Sequence, residues 1–264
     1  MPSGGCRYTL ENRPGTIYCS RGTVKDPNSS GLYWVRDDEP LTTVRILTCY
    51  LDRPFSSVWD VAADNQGRLW FTHNIYGYYC KSRPKPSLPC QIYCTIPYQK
   101  WVRAVADGFR NPLGIALSPD NNVLYVSDTG LRYSDGAAQE RRSSTIYAFD
   151  IKEKHGFPYL TNRRVFALIN SGVAVSLKSD GRGYVYASCW DGVEIFSPGG
   201  IPVGVIRVPG ATTYGLCCGP NGQVYVCAGQ RLWLVQIPFS PEVPTKDTTT
   251  PWDLTTNIEE WVGV

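Results

Sequence analysis

The sequence predicts an all-β fold: a six-bladed β-propeller, or an incomplete ring of five to six blades. Three observations predict it. A strand–turn–strand unit recurs along the 264 residues. An aromatic residue marks the second strand of each copy, and 25 glycines and 20 prolines supply turns. Repeats of roughly 40–50 residues with several short strands each are the sequence mark of a propeller.

The clearest copy is 114–130. Ile115 and Leu117 share one face of a first strand, Ser118-Pro119-Asp120-Asn121-Asn122 is a cluster of turn formers, and Val123-Leu124-Tyr125-Val126 is a β-branched and aromatic run. The same order recurs at 60–71, 175–186 and 215–226, and Pro14-Gly15-Thr16-Ile17-Tyr18-Cys19 shows only the second strand. The second-strand aromatics are Tyr18, Trp70, Tyr125, Tyr186 and Tyr225, spaced by 52, 55, 61 and 39 residues.

In chain order, residues 1–31 read as loop-rich with a strand near 16–19. Strands follow at 32–35 and 44–50. Phe55 to Val61 leads into the second repeat, which is left through a long aromatic loop, 71–79, closed by three prolines within 81–90. Outer strands are expected at 91–93 and 102–106, at 145–149 and 164–168, at 192–196 and 203–206, and at 232–235. The propeller is expected to occupy 1–239 as one domain. Residues 240–264, rich in Thr and Pro, read as a flexible tail with a short helix at 256–262.

Composition narrows the function. The net charge is +3 with both signs mixed, so no nucleic-acid surface is expected. No apolar run reaches about 18 residues, so no membrane span is expected. Ten cysteines and the sequon Asn28-Ser29-Ser30 fit a secretory protein, whereas Met1-Pro2-Ser3-Gly4-Gly5 opens no signal region. The compartment stays open between an intracellular protein and one whose true N-terminus is missing. Cys80, Cys90 and Cys94 flank the proline-rich loop and could include one disulfide. No CxxC pair occurs, and adjacent Cys217-Cys218 project to opposite sides of a strand, so cysteine metal chemistry is not expected. There is no Gly-x-Ser-x-Gly elbow and no phosphate loop.

The runs Phe55 to Val61, Phe71 to Tyr78, Leu88 to Tyr93, Val102 to Gly130 and Asp191 to Gly200 carry a resemblance. Over residues 14–237 the chain resembles fungal gluconolactonase-like proteins of the SMP-30 and lactonohydrolase superfamily. The most specific stretch is Val105-Ala106-Asp107-Gly108-Phe109 before Gly114-Ile115-Ala116-Leu117-Ser118-Pro119-Asp120. The resemblance implies a six-bladed propeller with a divalent metal, calcium or zinc, in its channel, and lactone hydrolysis. Two departures stand out. The strand-rich segment that supplies an acidic ligand near the start of relatives is absent. Leu113, Val175 and Trp59 occupy family ligand positions, and none has a side chain that can hold calcium or zinc. A one-residue register change moves Asn111 toward the channel, but nothing comparable rescues Val175. Loss of the metal is therefore expected.

Candidate site residues follow. His73, aligned where relatives carry a channel-facing aspartate, is the expected acid, base or donor. Asp60 is the other catalytic candidate. Trp59, Tyr76, Asn111, Asp128, Trp190 and Tyr214 are expected to bind substrate at the channel mouth, with Tyr78 close by. His155 reads as a solvated hairpin residue. Aromatic walls suit an apolar or aromatic small molecule better than a sugar lactone. The leading expectation is a monomeric enzyme without metal or other cofactor that forms rings in fungal secondary metabolism, by fold-level analogy with hetero-Diels–Alderases. The alternatives are a calcium- or zinc-dependent lactone hydrolase and a non-catalytic binding propeller.

Overall fold

A computed structural model describes residues 2–37, 42–130, 144–208 and 212–237, together with the strand backbones Trp252–Asp253 and Ile258–Trp261. Five antiparallel sheets follow one another along the chain. The first holds Pro2–Leu10, Arg13–Arg21, Ser30–Arg36 and Thr43–Leu47. The second holds Ser57–Ala63, Leu69–Asn74, Gln91–Ile96 and Trp101–Ala106. The third holds Pro112–Leu117, Val123–Thr129, Ser144–Lys154 and Phe157–Leu168. The fourth holds Ser176–Ser179, Val185–Cys189, Gly192–Phe196 and Pro202–Ile206, and the fifth Thr213–Cys218, Gln223–Ala228 and Arg231–Gln236. The first strands of successive sheets neighbour one another, which makes these sheets the blades of a propeller. Five blades lie among the described residues.

All five second-strand aromatics fall on second strands. The alternation that predicted them is visible in burial: Gly15, Ile17 and Cys19 are buried, whereas Thr16, Tyr18 and Ser20 are partly exposed. The 114–130 hairpin pairs Ile115 with Val126 and Leu117 with Leu124. Its turn places Asn121 at φ 59°, a left-handed conformation that asparagine tolerates. The turns also explain why the aromatic recurs. In the second blade Trp70 Nε1 donates to Asp64 Oδ2 at 2.9 Å, and in the fourth the Tyr186 hydroxyl donates to Asp180 Oδ2 at 3.2 Å. Each aspartate also accepts two backbone N–H groups of its own turn.

Four apolar cores join blades one to two, two to three, three to four and four to five. No such core joins the fifth blade to the first among the described residues. Instead, a cavity of about 350 Å³ lies between Ser3, Gly4 and Gly5 on one side and Cys217, Tyr225, Cys227 and Leu232 on the other.

Three sequence expectations change. Pro2–Leu10 is a strand, not a loop, and pairs along Arg13–Arg21. Ser3-Gly4-Gly5 has little strand propensity, so packing against the second blade imposes the extended form. The expected helix at 256–262 is replaced, where described, by the strand Ile258–Trp261, which completes the fifth blade beside Arg231–Gln236. Trp252–Asp253 runs parallel to the edge of the fourth blade. The tail is thus not uniformly loose chain, and its other residues from 240 onward lie outside the described residues. Finally, all ten cysteines are free thiols, so the disulfide expected among Cys80, Cys90 and Cys94 is not formed. Cys90 and Cys94 sit in the apolar core between blades two and three, and Cys80 is on the exposed loop.

Candidate active site

The first strands of the blades carry their side chains alternately into blade–blade cores and toward the channel. In Ser176–Ser179, Leu177 enters the core between blades three and four, so Ser176 and Lys178 face the other way. In Ser57–Ala63, Asp60 meets them. Its Oδ1 accepts the N–H of Val61 at 2.9 Å, and its Oδ2 accepts the N–H of Ile115 and the Ser176 hydroxyl, each at 3.3 Å. The Lys178 ammonium lies 3.6 Å from Oδ1. The Thr72 hydroxyl accepts the Asp60 N–H and donates to the Leu113 carbonyl. One carboxylate therefore fastens three blades together. A Cβ on Gly4 would overlap the Asp60 carboxylate, so only glycine lets the first blade approach this closely.

Burial raises the Asp60 carboxyl above its ordinary range, opposed by Lys178, the two backbone N–H groups and Ser176. Burial is the largest influence on Lys178 and works against its charge, but Asp60, with smaller contributions from Cys6 and Cys19, holds the amine above the usual lysine value. Beside them, burial pushes the Cys6 thiol up to about 12, so it is no nucleophile at neutral pH. Among the described residues lining the cavity, Asp60 and Lys178 carry the charge, and the far wall is Leu216, Cys217, Tyr225, Cys227 and Leu232.

The other sequence candidates separate into three groups. Trp59 and Tyr76 meet edge to face, with ring centres 5.5 Å apart. Trp59 Nε1 donates to the Val175 carbonyl at 2.9 Å, and the Arg21 guanidinium lies 5.1 Å from its ring centre. Trp190 and Tyr214 lie at the same end of the blades and are exposed, Trp190 seated over Gly172. These four provide aromatic surface at the end where the first strands begin. Asn111 and Asp128 form the second group and are buried. Asp128 accepts the backbone N–H groups of Arg110 and Asn111, closing the entry to the third blade. The Asn111 side-chain amide donates to the Thr129 hydroxyl at 2.9 Å, and its Oδ1 has no partner among the described residues.

His73 stands alone. Its ring is fully buried, with Nε2 accepting the Ser56 N–H at 3.0 Å and Nδ1 on the Pro89 carbonyl at 2.9 Å. Phe55 and Tyr93 enclose it. Burial lowers its pKa from 6.5 to about 4. An imidazole with both nitrogens on backbone and no exposed atom is a neutral structural group, so the structure does not bring His73 to the channel. Tyr78 is exposed on the short helix Tyr76–Tyr79, and His155 is exposed in its turn at φ 55°.

The divalent cation implied by the family resemblance can be tested against these donors. Among the described residues no three His, Cys, Asp or Glu side chains are grouped to hold a metal ion. Leu113 and Val175, which the resemblance would make ligand positions, offer the channel no side-chain oxygen. Asp60, the one carboxylate at the cavity, has its oxygens taken by four donors, one of them a cation. The described residues do not fit a divalent metal. Sequence reasoning missed Lys178 and Ser176. The available signal was a lysine on the channel-facing phase of a first strand whose alternate residue, Leu177, is core.

Residues 6–230 match the family described as SMP-30/Gluconolactonase/LRE-like region. Lactonohydrolase oryL of Aspergillus oryzae is 29% identical over 191 residues, 66% of this chain and 42% of that protein. A gluconolactonase of Zymomonas mobilis is 27% identical over 228 residues, 76% of this chain and 61% of that protein. The chain thus spans less than two thirds of the length of either relative. Among solved structures, a gluconolactonase from Xanthomonas campestris superposes with a TM-score of 0.70 at 24% identity, over 88% of this chain and 70% of that one, a likeness of fold. With the profile covering most of its length, the chain belongs to the SMP-30/gluconolactonase/LRE-like family.

Proposed function

We propose that this chain forms the catalytic channel of a lactone hydrolase acting on cyclic esters with apolar substituents. The observation that carries the reading is the meeting of Asp60, Ser176 and Lys178 at the edge of a cavity whose opposite wall is apolar. Its similarity to a lactonohydrolase and a gluconolactonase supports a ring-opening reaction over a ring-forming one. Hydrolysis needs water at an acyl carbon, a group that stabilises the developing oxyanion, and a pocket that holds the ring in place. The walls supplied by Leu216, Tyr225 and Leu232 favour an alkyl-substituted lactone over a polyhydroxylated one.

The test is a pH-stat assay of purified protein on δ-gluconolactone and on alkyl γ- and δ-lactones. Faster acid release from the alkyl series is expected. No acid release above background from any of them would overturn the reading. Ring formation without a metal is the second reading, favoured by the aromatic surface of Trp59, Tyr76, Trp190 and Tyr214. It predicts consumption of a reactive apolar polyene or enone with no release of acid.

A further inference from the structure

We propose that the Lys178 ammonium, anchored by Asp60, is the electrophilic centre of this channel and does the work that a divalent cation does in a metal-dependent lactonase. The inference rests on the lactone-hydrolase reading and assigns its oxyanion-stabilising group.

A lysine ammonium has three N–H groups. Among the described residues Lys178 has one ionic contact, Asp60 at 3.6 Å, which leaves donors for a ligand. Asp60 is placed differently: it is buried, and its oxygens accept from Val61, Ile115, Ser176 and Lys178. The carboxylate is therefore the anchor and the amine the group that a ligand can reach. The Lys178 side chain keeps 24% of its exposure and lines the cavity. The position is enforced from outside the pair as well. Gly114 lets the first strands of blades three and four close together, since a Cβ there would sit 2.8 Å from the Leu177 nitrogen. Gly4 closes over Asp60 from the first blade. A charge fixed beside an apolar wall is worth more to a developing oxyanion than one in open water, and it needs no rearrangement as the reaction proceeds.

The step balances without a further reactant. Water oxygen bonds to the lactone acyl carbon while the carbonyl oxygen, now carrying negative charge, accepts a hydrogen bond from Lys178. The acyl–oxygen bond of the ring then breaks. One water proton ends on the departing ring oxygen, the other passes to solvent as the new carboxylic acid ionises. Lys178 remains an ammonium throughout, as the Asp60 carboxylate favours. The product carboxylate is then held by the same cation.

Two measurements test this. In the first, hydrolysis of γ-nonalactone is followed in protein stripped with EDTA, as wild type, K178Q and K178R. Wild-type rate should survive chelation. K178Q should lose about 10²–10³-fold in kcat, the usual effect of deleting one oxyanion donor, and K178R should keep a larger share. Loss of wild-type activity to EDTA with recovery on added calcium or zinc would overturn the proposal, as would K178Q at wild-type rate. The chelator arm uses unaltered protein, so it stands whatever K178Q does to folding. In the second, binding of the ring-opened sodium salt of γ-nonalactone is measured by calorimetry. Binding to stripped wild type and K178R but not to K178Q is expected. If that binding pattern holds while no lactone is hydrolysed, the lactonase reading fails and the cationic site stands. If lactones are hydrolysed but neither measurement depends on Lys178, the cationic site fails alone.

Discussion

Replacing Arg83 with methionine should unfold a large part of the margin that keeps this propeller folded. Arg83 is buried and has no carboxylate partner at bonding distance among the described residues. All five of its N–H donors go to backbone carbonyls: Nε to Ser56 at 2.7 Å, Nη1 to Thr23 at 2.6 Å and Asp26 at 3.1 Å, and Nη2 to Pro27 at 2.6 Å and Phe55 at 2.9 Å. One guanidinium thus pins the 22–29 loop of the first blade, the entry to the second blade and the proline-rich loop to one another. Gly77 and Gly22 leave room for it, because a Cβ on Gly77 would overlap its stem and one on Gly22 would lie 2.5 Å from Nη1. Methionine fills much of the volume but strands four of the five acceptors, since the Asp26 carbonyl keeps the Ser29 N–H and hydroxyl. The bonds to Ser56 and Phe55 are fully buried, and each dry acceptor costs about 1–3 kcal/mol. The Thr23 and Pro27 carbonyls are part-buried and regain water, at roughly 0.5–1 kcal/mol each. Losing the guanidinium also removes its own burial penalty, so the lower end of the sum applies, about 3 kcal/mol. Against a total stability of about 5–15 kcal/mol that is a large share. Guanidinium chloride titration followed by tryptophan fluorescence should show the midpoint falling by roughly 1 M. R83K, with a compact head that cannot reach five carbonyls, should recover less than half of the loss. A midpoint change worth under about 1 kcal/mol in R83M would refute the reasoning, because it would mean that these carbonyls are satisfied without the guanidinium.

Three further outcomes are expected. His73 sits near 4 in the folded protein against 6.5 ordinarily, so the unfolded chain binds a proton that the native state refuses. Stability should hold above pH 6.5, fall as pH drops from 6.5 toward 4 by about 3 kcal/mol from this group, and flatten below. Urea midpoints across that window should converge between wild type and H73Q as the solution is acidified, and parallel curves would contradict the assignment. Asp64 and Arg68 form a buried ion pair at 2.5 Å, with Glu153 also on Arg68 and Trp70 on Asp64. D64N should lower stability by about 3–5 kcal/mol in a melting experiment, the usual effect of breaking such a pair, and an unchanged melt would contradict it. All ten cysteines should react with a thiol reagent in denaturant without prior reduction, and exposed Cys49, Cys80, Cys217 and Cys227 should react first in the native protein. A count below ten would mean that a disulfide forms.

Sequence periodicity located most of the blades but not the chemistry. Trp70 and Tyr186 were legible because each lies six residues beyond the turn aspartate it bonds, so the signal is contained in one hairpin. Asp60 was legible at the cavity because it lies in the first strand of a repeat. His73 misled because its neighbours in sequence do not reveal its neighbours in space: Ser56 and Pro89 hold its two nitrogens. Asp128 and Asn111 misled for a related reason, since a polar residue at a blade entrance serves the turn as readily as a ligand.

The sequence alone determined the class of fold, because alternation with period two and turn chemistry act within a few residues of each other. It also determined where the second strands lie and that Leu113, Val175 and Trp59 bring no carboxylate, thiolate or imidazole. Only the tertiary structure decided that Ser3-Gly4-Gly5 extends as a strand, since that conformation comes from docking on Asp60 rather than from propensity. Only the tertiary structure brought Lys178 and Ser176 to Asp60, more than a hundred residues earlier in the chain. Which side chains face one another across the channel depends on how the blades pack, and no local pattern encodes it.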